Sequence, residues 1–196
     1  HRVWLSGLAP DTRWHYRASQ GDTVSSDAVF GTAVPAGTPF RFAFLSDFQS
    51  TAITQDAIVA QLLRTHRPRL CVYGGDLAEV GNSYADWKAD FFDKEGPLLA
   101  GVPFFSAVGN HDGWGRNTQA FLQAPAAAAD RPGCYSFEYG DAHFLVLNTE
   151  ASCATNSAQY AFARADLAAA PVHPGGRAGA GADAARDRTR DPAIPA

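Results

Sequence analysis

The sequence predicts an α/β fold, a parallel sheet begun near residue 39 and preceded by the last strands of a β-sandwich. Three observations carry this. Between residues 40 and 108, apolar runs of strand length alternate with helix-spaced stretches, the order that builds a parallel sheet with crossover helices. Each run ends on polar groups: Asp47 after the first, Asp76 after the second, and Asn110-His111-Asp112 after the third. The first 38 residues instead show a two-residue period, small polar turns and no helical period.

Within residues 1–38, Leu8-Ala9-Pro10-Asp11-Thr12-Arg13-Trp14-His15-Tyr16 sets apolar or aromatic residues at every second position. Leu8, Trp14 and Tyr16 then share one strand face, and His15 points to solvent from the other. Two or three strands are expected, too few to close a sandwich. Ala33-Val34-Pro35-Ala36-Gly37-Thr38-Pro39 reads as a linker.

Strand-like residues 40–46 lead to a helix over 51–63, with Ile58 and Leu62 beside Ile53 and Ala57 on its apolar stripe, Thr51 as N-cap and Pro68 beyond its end. Residues 70–73 form the next strand. A second helix spans 83–94, with Tyr84, Trp87 and Phe91 on one face, and residues 102–108 return as a buried strand. A short helix over 117–122 precedes two strands, 134–139 and 143–147, that turn at Gly140-Asp141; a helix over 157–170 follows. From residue 171 aromatics vanish and Ala, Gly, Arg, Asp and Pro dominate, so this segment can bury little and is expected to be disordered. It reads either as a flexible natural tail or, as we favour, as a frame-shifted end that interrupts the domain.

The 196 residues, 46% apolar and 12% aromatic, suffice for one ordinary core and part of a second. A formal charge of −4 without a basic stripe disfavours a dedicated nucleic-acid binder. No apolar run reaches the roughly 18 residues that span a bilayer. The first residue is His and no leader precedes the first strand, so the start reads as a cut and leaves secretion open. Cys71, Cys134 and Cys153 lack zinc-type spacing, and one stays unpaired under any disulfide scheme.

Carboxylates delivered together to one sheet edge are costly to leave poorly solvated, so they are usually paired or bound to a cation. Ser46-Asp47-Phe48-Gln49, Gly74-Gly75-Asp76-Leu77-Ala78-Glu79 and Gly109-Asn110-His111-Asp112, each after a strand, resemble the first three motifs of the calcineurin-like metallophosphoesterases. With the Leu-x-Pro-x-Thr-x-Trp-x-Tyr text of a fibronectin type III-like module before them, residues 1–170 look most like a purple acid phosphatase-type member. That resemblance implies the first half of a metallophosphoesterase α/β sandwich over residues 39–170, hydrolysis of phosphate monoesters, a small phosphorylated substrate, and export to the periplasm, the cell surface or beyond. It implies two metal ions, iron paired with zinc, manganese or a second iron. Asp47 would hold the first metal, Asp76 would bridge both, and Asn110 would hold the second. His111 would stabilise or protonate the leaving oxygen, and Asp112 would support the loop or the histidine beside it; a plain turn carboxylate is the alternative.

Two departures stand out. Gln49 occupies the place of a histidine ligand, and Glu79 that of the purple enzymes' tyrosine, so the ferric-tyrosinate colour is not expected; Gln49, Glu79 or neither completes the first metal. The later histidine motifs are also missing, and His173 matches neither, so the chain is expected to be an incomplete enzyme. A truncated scaffold without catalysis and an extracellular binding module are the rival readings. His143 is expected to make core or edge hydrogen bonds, His66 to sit at a helix end, and Trp114 to shape the substrate mouth.

Overall fold

A computed structural model describes residues 3–49, 52–122 and 133–170. Thr51, His173 and the tail from residue 171 lie outside them. The N-terminal part holds four short strands rather than two or three. β1 (Arg13–Tyr16) pairs antiparallel with β4 (Ala28–Gly31), and β2 (Ser19–Gln20) with β3 (Thr23–Val24). These are two separate two-stranded sheets, and among the described residues they form no closed sandwich. Tyr16, two residues from Trp14 on the same strand, is 39% exposed, packs edge-on against Phe30, and donates its hydroxyl to the Ala100 carbonyl at 2.8 Å. His15 is exposed, as expected, and lies 2.7 Å from Asp27.

The parallel sheet forms as the alternation of elements requires. β5 (Phe42–Leu45), β6 (Leu70–Tyr73) and β7 (Phe104–Ser106) lie side by side in chain order, all parallel. Because successive side chains point to opposite faces, one sheet builds two cores. Ala43, Cys71, Tyr73 and Phe104 face the helices, where Phe48, Trp87, Phe91 and Leu98 meet them. Leu70, Val72 and Phe105 face the other way, onto a hairpin of β8 (Tyr135–Tyr139) and β9 (Ala142–Val146) that turns at Gly140 with φ +57°. Phe105 stacks on Phe137 with centroids 3.7 Å apart, and Tyr135 Oη donates to the Ser106 carbonyl at 2.9 Å.

The helices depart from their sequence reading in orientation more than in extent. α1 (Ala52–Gln61) continues through a wider turn, Leu62–His66. Its buried face carries Gln55 and Val59, whereas Ala57 and Ile58 are exposed and the Ile53 side chain lies outside the described ones. The physical reason is a polar partner: Gln55 Nε2 donates to Glu95 Oε1 at 3.2 Å in the interior, which turns the apolar Ile58 outward. The second helix starts at Ser83, whose Oγ accepts from Asp86 N at 3.3 Å. It runs through α2 (Tyr84–Asp86), a wider stretch Trp87–Phe92 and α3 (Asp93–Leu99), five residues past the expected end. Trp87 and Phe91 are buried as expected; Tyr84 is 60% exposed and is not. α4 (Arg116–Phe121) and α5 (Ala158–Ala169) fall within a residue of their predicted bounds, with Ser157 capping α5 by accepting from Tyr160 N at 3.1 Å. Trp114 packs partly buried against the helix-side core. Cys71 and Cys134 are buried and Cys153 is exposed.

Candidate metal centre

Leu45, Tyr73 and Ser106 lie in register across the sheet, so the loops that follow them leave at one edge. Backbone bonds then tie the first two loops together: Asp47 N donates to the Gly75 carbonyl at 3.2 Å, and Phe48 N to the Asp76 carbonyl at 2.8 Å. Both aspartates hold left-handed backbone, φ 61° at Asp47 and 54° at Asp76. Such conformations cost on the order of 1 kcal/mol each for a residue with a Cβ, and they persist where surrounding contacts over-determine them. The second and third loops touch even more closely. A Cβ on Gly75 (φ +103°) would come within 2.4 Å of Gly109 N, and one on Gly109 within 2.0 Å of Asp76 Oδ1.

Asp112 anchors this crossing. It is 2% exposed; Oδ1 accepts from Leu77 N (2.8 Å) and Ala78 N (3.3 Å), and Oδ2 from Asp76 N (2.8 Å) and Gly109 N (3.0 Å). Burial pushes its pKa up, the four N–H groups pull it down, and the net change is upward. Both oxygens thus face backbone rather than solvent, which suits the loop-supporting role and not direct contact with a substrate. Thr118 Oγ1 donates to the Asp112 carbonyl at 2.9 Å, and a Cβ on Gly81 would fall 1.6 Å from that carbonyl oxygen.

The remaining side chains gather around Asp76. Its Oδ1 accepts from His111 N at 3.0 Å, and Gln49 Nε2 lies 3.4 Å from Oδ2. Ser46 Oγ donates to Asp47 Oδ2 at 2.5 Å, a support that no spacing in the sequence points to. Asn110 is exposed on the turn between Gly109 and His111. His111 Nδ1 lies 2.9 Å from the Glu79 carbonyl oxygen. A carbonyl only accepts, so Nδ1 carries the proton and Nε2 is left as the other functional nitrogen. The bond to that carbonyl raises the imidazole pKa, desolvation opposes it, and Asp76, Glu79 and Asp112 add to the rise. The Glu79 carboxylate sits 3.6 Å from His111 Nδ1 and is 47% exposed, and Glu79 N donates to Asp90 Oδ2 at 2.9 Å. Glu79 is therefore drawn towards the histidine.

One further observation bears on a metal. Gln49 Oε1 is buried and has no hydrogen-bond partner among the described residues. A buried acceptor left unpaired costs about 1–3 kcal/mol, a cost that a cation would remove. Among the described residues no three His, Cys, Asp or Glu side chains converge to hold an ion. The donors at this edge are instead oxygens, the carboxylates of Asp47 and Asp76 and the carboxamides of Gln49 and Asn110, chemistry that hard cations prefer. The residues thus fit a metal through oxygen donors.

The profile of the calcineurin-like phosphoesterases matches residues 40–158. The chain is 26% identical over 204 aligned positions to purple acid phosphatase 23 of Arabidopsis thaliana, covering 85% of this chain and 44% of that protein. It also superposes on the purple acid phosphatase PPD1 from yellow lupin (Lupinus luteus) seeds with a TM-score of 0.66 at 20% identity, over 84% of this chain and 35% of that one, a likeness of fold. The chain therefore spans less than half the length of either relative.

Proposed function

Since the chain belongs to the calcineurin-like phosphoesterase family, we propose that it hydrolyses phosphate monoesters at the sheet edge where Asp47, Asp76, Gln49 and Asn110 meet, using two metal ions. The observation that carries this is the buried Gln49 Oε1, which has no hydrogen-bond donor among the described residues, on the side chain whose Nε2 lies 3.4 Å from Asp76 Oδ2. Asp47 would hold one cation, Asn110 the other, and Asp76 would serve both. Gln49 rather than Glu79 would complete the first, because Glu79 is drawn towards His111. When bound, such cations acidify water and neutralise charge on a phosphoryl oxygen.

The chain's own residues do the rest. Asp112 holds the loops at the separation that the two glycines permit. His111, with Nδ1 committed to the Glu79 carbonyl, presents Nε2 as the atom that receives or delivers a proton at the leaving oxygen. The metals would be iron with zinc, manganese or a second iron, without a tyrosinate colour band. The substrate would be a small phosphorylated compound met outside the cytoplasm. Among the described residues no helix is long and apolar enough to cross a membrane. The strands within residues 1–38 are proposed as the end of a fibronectin type III-like module, and residues 39–170 as the first part of the catalytic domain.

The scaffold reading draws on the absence of three converging His, Cys, Asp or Glu side chains among the described residues. Titration of the full chain with Mn(II), Fe(II) and Zn(II), followed by hydrolysis of an aryl phosphate, separates the two. Metal-dependent turnover that Asp76→Ala abolishes supports the enzyme. Metal bound without turnover supports the scaffold, and no binding beyond that of a folded Asp47→Ala/Asp76→Ala variant overturns the metal centre itself.

A further inference from the structure

At the opposite edge of the parallel sheet, where β6 and β7 begin, a cavity of about 550 Å³ opens between the N-terminal strands and the α/β part. Arg13 of β1 and Arg67 and Arg69 of the turn into β6 line it, together with apolar Val29, Phe30 and Leu63. The three guanidinium groups stand out in a chain whose formal charge is −4. Only Arg69 is neutralised: it pairs with Asp11, donates to the Thr32 carbonyl at 3.2 Å, and lies over Gly31. Among the described residues the side chains of Arg13 and Arg67 have no hydrogen bond or ion pair.

Arg67 is also conformationally out of place. Its backbone is left-handed (φ 45°, ψ 59°) at the cap that ends the α1 extension, where its N–H donates to the Leu62 carbonyl at 2.7 Å. Glycine is the residue that such a cap favours, and a residue before proline, here Pro68, prefers extended backbone. The arginine held there against both preferences is one of the residues that line the cavity.

We propose that this cavity is a second ligand site, distinct from the candidate metal centre, for an organic oxyanion with an apolar body. The Arg13 and Arg67 guanidinium groups would grip the phosphate, sulfonate or carboxylate head in charge-assisted bonds, and Phe30, Val29 and Leu63 would cover the body. A concave site with one sign of charge and apolar walls concentrates the field that attracts such a ligand. Because the walls come from both parts of the chain, the ligand would clamp the N-terminal strands to the α/β part.

The test uses naphthalene-2-sulfonate, which a phosphatase cannot cleave, titrated calorimetrically into the full chain with excess chelator so that no metal competes. Arg67→Gly removes the guanidinium and suits the left-handed turn, so its fold is expected to survive; Arg13→Ala removes the second, and Arg64→Ala, an exposed arginine outside the cavity, is the control. One-to-one binding that weakens at least tenfold in Arg67→Gly and in Arg13→Ala, and is unchanged in Arg64→Ala and Asp76→Asn, supports the site. No saturable binding, binding that survives loss of both arginines, or binding that Asp76→Asn removes overturns it. The last outcome would place the anion at the metal centre, and none of the three touches the phosphoesterase reading.

Discussion

Raising the pH from 6 to 9 is expected to loosen the docking of α5 on the β8–β9 hairpin, through His143. Its Nδ1 lies 2.5 Å from Glu138 Oε1 and its Nε2 2.6 Å from Asp166 Oδ2, while Ser136 Oγ donates to Asp166 Oδ1 at 2.6 Å. Both ring nitrogens face carboxylate oxygens, and only the imidazolium can donate from both. Burial lowers the imidazole pKa, but the bonds to Glu138 and Asp166 and their charges raise it, and the net change is upward from 6.5. A group whose pKa is raised by folding contributes stability that is whole below its unfolded pKa and is lost as pH climbs through the folded one. The loss should therefore begin above pH 6.5. The arm to Asp166, with side chains 15% and 14% exposed, contributes about 1.5–2 kcal/mol as a largely buried charge-assisted bond. The arm to Glu138, 48% exposed on the carboxylate side, adds less than about 1 kcal/mol after solvent screening. Together they amount to about 2 kcal/mol, or roughly 4–8 °C in Tm for a chain of this size. Thermal melts of the parent and His143→Gln at several pH values provide the assay. The variant should melt lower at pH 6, and the gap should close towards pH 9. A gap that stays constant across the range would refute the reasoning.

Asp112→Ala strands the N–H groups of Leu77 and Ala78, which are buried, and of Asp76 and Gly109, which are partly so, and should cost about 3–5 kcal/mol in a urea titration. Gly109→Ala drives a methyl into Asp76 Oδ1, so Mn(II) affinity should fall at least tenfold by calorimetry while far-ultraviolet circular dichroism stays native. Glu95 is fully buried and accepts from Tyr73 Oη at 2.9 Å and from Gln55; burial raises its pKa and those bonds only partly offset the rise. Stability linked to it is whole below about pH 4.3 and lost as pH rises through the folded pKa. Glu95→Gln can also donate to the unpaired, buried Gln55 Oε1, so it should match the parent near pH 4 and exceed it by about 1 kcal/mol at pH 7 in urea unfolding.

Most of the architecture was legible because strands and motifs are local. Period-two alternation places Leu70 and Val72 opposite Cys71 and Tyr73 whatever surrounds them, and Gly140-Asp141 marks its hairpin turn from two residues alone. The ends of three successive apolar runs bring Asp47, Asp76 and Asn110 to one edge because parallel strands in register leave no other place for them. Which face of α1 turns inward was not legible: the pattern favoured Ile58, but the interior position goes to Gln55 because Glu95, forty residues away, needs its amide. The same holds for Tyr84, 60% exposed beside the Phe121 ring, and for Asp90, which accepts from Glu79 N only when separate elements dock.

The sequence by itself determined the order of strands and helices and the family, since each depends on spacing along a few neighbouring positions. Tertiary structure decided what individual residues do for one another: Asp112 beneath the loops, Glu79 drawn to His111, Gln49 with an oxygen unanswered among the described residues, and two arginines lining a cavity. Those roles depend on which distant groups meet once the backbone has closed, and spacing along the chain carries no record of that.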